Sequence, residues 1–459
     1  MSRRPDPERW LADHAITGVR LIGSNHDGVA LGKHVSASKF LAALEKGSTL
    51  ADTSFGLDVA GDVALGWDWG SWRGEVADLV LVPDPATLRV DPARPGWASA
   101  ICDFADPSGE PVPVCFRSTL KRLVAELAGQ GLEVSVSPEI ELLAFEEPIA
   151  EVRARGYQGL TPLGGPARIT YVMSRSPDQA ELMDAGMERL TQLGIEWECW
   201  SAETAPGQAE INLAPADPVG TADAIVRSKL AMRELAAELG RSVSFIAYGI
   251  DEALGSGMHL NLSVSRDGRN AFHDPAADGN RSELMRRWLA GMLATMPGAM
   301  SFLSPSVNSY RRLVDITGPP TSVTWGEDNK SVALRTVTRE PSSSRIEHRL
   351  AASDCNPYAA LSALLAGGLV GMERELEPPP AFEGMAWALP EGTVEMLPAS
   401  IRAAAAALAE DEPLREKLGR EAVDYWIGTR EWEWVAFHTH GGDPDAVNEF
   451  ELRRHFEQP

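Results

Sequence analysis

Glu139 and Glu141 stand two residues apart in SPEIELLAF, within a stretch whose apolar and polar residues alternate. On a strand both carboxylates point to one face, and two like charges held that close are costly without a cation. Taken alone, such a pair reads as a solvent-facing strand edge, because glutamate is mostly an exposed residue. Three other segments add to it. In SAETAPGQAEINL, Glu203 and Glu210 bracket a Pro-Gly-Gln turn that can fold both acids towards one cavity. GSGMHLNLSV sets glycines ahead of a strand on which His259, Asn261 and Ser263 share a face, a nitrogen ligand followed by two uncharged hydrogen-bonding groups. SRIEHRL places Arg345, Glu347 and Arg349 at i, i+2 and i+4, alternating charge along one strand face.

Each segment separately could be a solvated face. Together, five glutamates and one histidine can supply two octahedral divalent sites with oxygen-dominated shells, which suits Mg²⁺ or Mn²⁺ and poorly suits tetrahedral zinc. Basic residues gather in NSYRRL (Arg311, Arg312) and DNKSVALR (Lys330, Arg335), the natural partners of carboxylate and phosphate groups. No Walker A pattern occurs and no GxGxxG opens a helix, so a nucleotide must bind by another route and hydride chemistry has no support.

The elements that must position these residues follow from periodicity. Residues 1–9 read as a loose tail, and the stretch to about Phe104 mixes short β-type runs (GVRLIG, DLVLVP, TLRV, SAICDF) with turns, a strand-dominated region. STLKRLVAELAGQGL has helical spacing and ends at glycine, and EVSVSPEIELLAF then alternates as a strand. Helices are predicted at 178–194, 218–240, 282–298, 357–374 and 398–421. Strand-like runs WECW, EINLAP, MHLNLSV, VALRTV and RIEHRLA lie between them. The fold class is α+β.

The 459 residues, 44% hydrophobic, can bury a large core and divide into domains. A net charge of −24 opposes nucleic acid as a partner. Four cysteines without CxxC pairing fit a reducing compartment. MSRRPDPERW is no signal peptide and no run of 18 apolar residues follows, so a cytoplasmic protein without a membrane partner is expected.

The ordered motifs PEIEL, ETAPGQAEI, GSGMHLNLS, NSYRRL, NKSVALR and RIEHRLAASDCNPY closely resemble the type I glutamine synthetase family. VRLIGSNHDGVALGKHV and ADLVLVPDPATLRVDP look like its β-grasp domain, and EFELRRHFEQ like its C-terminal end. The resemblance implies a β-grasp domain over 10–108. It also implies a catalytic domain over 109–459, with a curved antiparallel sheet flanked by helices. It implies that Glu141, Glu203 and Glu210 hold one metal and Glu139, His259 and Glu347 a second, with ATP as co-substrate. It further implies that Arg312, Arg349, Gly255 and Glu141 hold glutamate. Arg335, Lys330 and Arg349 would be the catalytic cations, and Ser263, Arg345, Arg335 and Asn261 would contact the nucleotide. The assembly implied is a homo-oligomer, a dodecamer of two stacked hexameric rings. The reaction implied is phosphoryl transfer from ATP to the γ-carboxylate of glutamate, then attack by an amine.

The chain departs from that pattern where ammonia would be received. Asn25 stands where an aspartate from the neighbouring subunit is usual, with Asp27 near but out of register. Gly318 stands where a flap glutamate is usual. Losing two anions removes both the attraction for ammonium and a base to deprotonate it, so a γ-glutamylamide synthetase acting on a monoamine, polyamine or amino alcohol is expected. Ordinary glutamine synthesis, with Asp27 or another acid as substitute, and a non-catalytic scaffold are the alternatives. Lys330 replaces a usual arginine, Leu254 a frequent asparagine, and Glu395 the tyrosine that is adenylylated in relatives, so that regulation is not expected.

Overall fold

The alternation in 133–145 is reproduced in space: Val134, Val136, Ile140 and Leu142 are buried, Glu139 and Glu141 lie on the opposite face, and the whole segment is one strand. The computed structural model describes residues 6–64, 76–168, 170–249, 254–314, 316, 318–390 and 392–458.

Its strands form two sheets. The first contains β1 (Gly18–Ser24), β2 (Ala30–Ser36), β3 (Ser48–Ala51), β4 (Asp78–Pro83), β5 (Arg89–Val90) and β6 (Trp97–Ala105), in the order β2-β1-β6-β4-β3 with β5 on β6. The second contains β7 (Glu133–Phe145), β8 (Trp197–Ala202), β9 (Gln208–Leu213), β10 (Ser242–Ser244), β11 (Met258–Arg266), β12 (Arg269–Asn270), β13 (Trp325–Glu327), β14 (Leu334–Val337) and β15 (Arg345–His348). Its order is β13-β14-β15-β11-β7-β9-β8, with β10 on β7 and β12 on β11. Every pair in it is antiparallel except β13 with β14.

The helices are α1 (Pro7–Asp13), α2 (Ala37–Lys46), α3 (Phe116–Gly129), α4 (Ile149–Ala154), α5 (Pro177–Gln192), α6 (Pro218–Glu238), α7 (Glu283–Ala294), α8 (Met296–Leu303), α9 (Val307–Arg312), α10 (Pro357–Glu373), α11 (Ile401–Glu410), α12 (Glu412–Leu418), α13 (Arg420–Thr439) and α14 (Glu449–His455). They correct the sequence reading in four places. Residues 7–9, expected to be loose, begin α1, because the Asp6 carboxylate accepts from the Glu8 amide and Pro7 supplies a preset first residue; residues 1–5 lie outside the described part. The strand-rich region contains α2, capped by the Ser36 hydroxyl. The helix expected over 282–298 is two, α7 and α8, parted at Thr295 just before Pro297, which has no amide hydrogen to continue the ladder. The helix expected over 398–421 is three: Asp411 caps α12 through the Leu414 amide, and Gly419, at φ 98°, starts α13.

One face of the larger sheet belongs to the core. Val136, Ile140, Leu142, Ile211, Leu260, Leu262, Leu334 and Ile346 pack with helices α3, α6, α7 and α10 in a single hydrophobic cluster. α10 is buried from Pro357 to Gly371, which requires near approach of its neighbours. α7 meets it backbone to backbone: a Cβ on Gly371 would lie 1.9 Å from the Arg287 carbonyl oxygen, and one on Gly291 would lie 2.1 Å from that of Gly367. Among the described residues no helix is long and apolar enough to cross a membrane. Gly371→Val should force the two helices apart and cost about 3 kcal/mol; a urea-denaturation midpoint unchanged from wild type would show that the contact is looser than described.

Candidate active site

Register, not sequence proximity, assembles the acids. Glu139 lies opposite His259 on β11 and Asn212 on β9; Glu141 lies opposite Glu210; Glu347 on β15 lies opposite Asn261 and, on its other side, Arg335 of β14. Since their sequence neighbours Ile140, Leu260, Ile211 and Ile346 all enter the core, these polar residues share the opposite face. One ligand atom each from Glu139, His259 and Glu347 lie within 4.8 Å of one another, and so do those of Glu141, Glu210 and His259. Glu203, just past β8, lines the same cavity outside both groups.

The crowding shows in the protonation of the acids. Burial, then repulsion from Glu139, Glu141 and Glu203, pushes Glu210 up to about 9. Burial and Glu141 push Glu203 up to about 7. Burial also works to raise Glu139, but the hydrogen bond and charge of His259, with Asn261 and Arg349, hold it at about 2. Glu347 is lowered in the same way, its burial outweighed chiefly by Arg349 and His259. Carboxylates and one imidazole forced together at the cost of protonation are the donor set of a hard divalent cation, so the residues present fit Mg²⁺ or Mn²⁺.

A rigid backing fixes this face. Gln208 Nε2 donates to Glu141 Oε2 (3.1 Å), the Gly255 carbonyl (3.2 Å) and Ser256 Oγ (3.3 Å). The Gly257 amide donates to Glu141 Oε2 at 2.7 Å, and the Ser353 hydroxyl to the Glu141 carbonyl at 2.6 Å. Arg312, nearly fully buried, donates to the carbonyls of Leu350 and Arg349 and lies across the glycine strip. A Cβ on Gly257 would stand 2.4 Å from its guanidinium and one on Gly255 2.7 Å from its Cβ, so only glycines admit it.

The remaining predicted residues fall into three places. Arg335, Arg349, Lys330, Arg312, Gly255 and Gly318 line the cavity with the acids. Arg335 and Arg349 each pair with Glu347, and Arg335 also with Asp328. Asn261, Ser263 and Arg345 continue along the same face: Asn261 donates to Glu139 Oε1 (2.9 Å) and accepts from Arg345 Nε (2.9 Å), while Ser263 donates to the Ser344 carbonyl (3.0 Å). Asn25 is elsewhere within the chain, its side chain turned back to accept from the Val29 amide and its carbonyl held by Asn356. Sequence reasoning missed Tyr171 and Thr204, which line the cavity, and treated Gln208 only as a turn residue. Gln208 was legible from its place between the two acids; Tyr171, brought in by a loop, had no spacing signal.

With this geometry in hand, the comparisons with known proteins are specific. The profile of the glutamine synthetase catalytic domain matches residues 113–452. Type-1 glutamine synthetase 2 of Dictyostelium discoideum is 30% identical, over 96% of this chain and 83% of its own length. The glutamate–isopropylamine ligase of a Pseudomonas species is also 30% identical, over 98% of this chain and 96% of its own. The structure of GmaS in complex with ADP superposes with a TM-score of 0.83 over 98% of both chains, at 25% identity. The chain belongs to the glutamine synthetase family and is an ATP-dependent ligase.

The raised acids give a signed pH dependence. Without metal, Glu203 and Glu210 keep protons in the folded state that the unfolded chain releases at the ordinary value of 4.5. Between that pH and about 9 the folded state binds more protons, so metal-free stability falls as pH rises. A divalent ion displaces those protons, so its stabilisation grows with pH. Mn²⁺ should therefore raise the melting temperature more near pH 8.5 than near pH 6, and Glu347→Ala should lose most of that gain. A gain that is flat or larger at the lower pH, in a melting series with and without Mn²⁺, would contradict the cluster's role.

Proposed function

We propose that this protein couples ATP cleavage to joining the γ-carboxylate of glutamate to an organic amine: a monoamine, a polyamine or an amino alcohol. Overall likeness does not choose the nucleophile, because a relative named glutamine synthetase and one named glutamate–isopropylamine ligase are equally identical to this chain. The observation that favours the amine is Gly318. It lines the cavity with no side chain and with open space around its Cα, where a carboxylate would attract and deprotonate ammonium. Asp27 is a poor substitute, since it is buried and held by Arg430 and His26.

In this reading Arg312, Arg349 and the Gly255 carbonyl, with Glu141, orient glutamate, and Ser263, Asn261 and Arg345 orient the nucleotide. Arg335 and Lys330 neutralise charge developing on the transferred phosphoryl group. A γ-carboxylate oxygen attacks the terminal phosphorus and ADP leaves; the free amine then attacks the acyl carbon, phosphate departs, and the amine's surplus proton passes to solvent. Two divalent ions, held by Glu139, His259 and Glu347 and by Glu141, Glu203 and Glu210, would supply Lewis-acid neutralisation of the phosphates. The smaller sheet is read as a β-grasp domain over 10–108 ahead of a catalytic domain over 109–459. The assembly is read as a cytoplasmic dodecamer of stacked hexameric rings, with Asn25 itself buried against its own subunit.

Phosphate release with glutamate, ATP and isopropylamine should exceed that with ammonium at least tenfold in kcat/KM, a difference of about 1.4 kcal/mol in transition-state binding. Ammonium used as well as any amine in a panel that includes a polyamine and ethanolamine would sink the reading.

A further inference from the structure

Helix α6 carries two cations one turn apart, Lys229 and Arg233, and both line a separate cavity of about 240 Å³. Its other walls include Gly28 and Val29 from the β1–β2 connection, Ala30 at the start of β2, Pro357 at the start of α10, and Glu457 near the C-terminus. Lys229 is only 4% exposed. Its ammonium donates to the Ser353 carbonyl, and among the described residues no carboxylate pairs with it. Asp354, next in sequence to that carbonyl, is occupied by the hydroxyls of Ser306 and Ser309. Glu457 is hydrogen-bonded to Arg153 and the Tyr157 hydroxyl, and its charge also faces Arg233, so the cation left without a carboxylate is Lys229. Lys229 and Arg233 share the ring of Phe245, at 5.5 and 4.9 Å from its centroid.

Lysine is almost never fully buried without a partner, and like charges four apart on a helix repel. An ammonium also has three donors, and Lys229 uses one of them on protein. The geometry points to a binding site for a compact oxyanion between α6 and the β1–β2 connection, received by Lys229 and Arg233. Point-charge and planar donors side by side suit a phosphate-like or sulfate-like group. The site is outside the acid cluster but joined to it, since Ser353 also donates to the Glu141 carbonyl. It also adjoins the connection that carries Asn25. Nothing in this inference depends on which amine is ligated.

Sulfate, neither substrate nor product of the proposed ligation, is the probe. Titrated calorimetrically into the full-length protein, it should bind, and Lys229→Met should weaken that binding at least tenfold while Mn²⁺ binding persists. Equal sulfate affinity in the two proteins overturns the site. If Lys229→Met folds poorly, selenate soaked into wild-type crystals locates the anion directly. An anomalous peak between Lys229 and Arg233 supports the site; peaks confined to Lys330, Arg335 and Arg349, or no peak, overturn it.

Discussion

Repulsion between carboxylates on one face of a sheet is the constraint around which this protein is built. Glu139, Glu141 and Glu210 cannot move apart, because each is fixed by a strand whose alternate residues are in the core. A register slip of one residue would send the acids into the hydrocarbon and the isoleucines into the cavity, so core packing itself enforces the crowding. The outer ring of donors follows from the same need. Arg335 and Arg349 on Glu347, and Asn261 and His259 on Glu139, favour the charged form of these two acids, leaving Glu203 and Glu210 to carry protons until a cation replaces them.

The smaller sheet is tied to the larger by buried charge. Arg117 of α3 pairs with Asp103 of β6, with Asp84 just past β4 and with Asp223 of α6, whose carboxylate also accepts from the Tyr358 hydroxyl. The β1–β2 connection is held by Asn356 on the carbonyls of Asn25 and His26, by Tyr425 on His26 and by Arg430 on Asp27. Removing one member of such a network strands a buried ion, which costs far more than an exposed pair contributes. Asp27 therefore has a structural duty, and its presence beside Asn25 in the sequence says little about chemistry.

Much of the catalytic face was legible in advance because period-two alternation fixes direction as well as type: Glu139 and Glu141, and His259, Asn261 and Ser263, emerge on the faces their spacing dictates. Pairing was not legible, since which strand lies beside β7 depends on contacts more than a hundred residues away in sequence. Helical spacing runs through 398–421 without a visible break, although Asp411 and Gly419 carry the cap and the positive φ that divide it. Tyr171 reaches the cavity from a loop at φ 57°, where periodicity is silent. Lys229 is hidden for a different reason: α6 is buried on most of its circumference, so its lysine does not mark a solvent face.

Gly318 adopts φ 126°, a backbone state that side chains rarely tolerate. Introducing an acid there takes more than a change of one codon, since the loop must be rebuilt into a conformation that accepts a Cβ. In the proposed reading that strain works as a ratchet: variants of this chain can move among amines of different shape by altering the cavity wall, whereas one that recruits ammonia through an acid at position 318 carries the strain before it gains the chemistry.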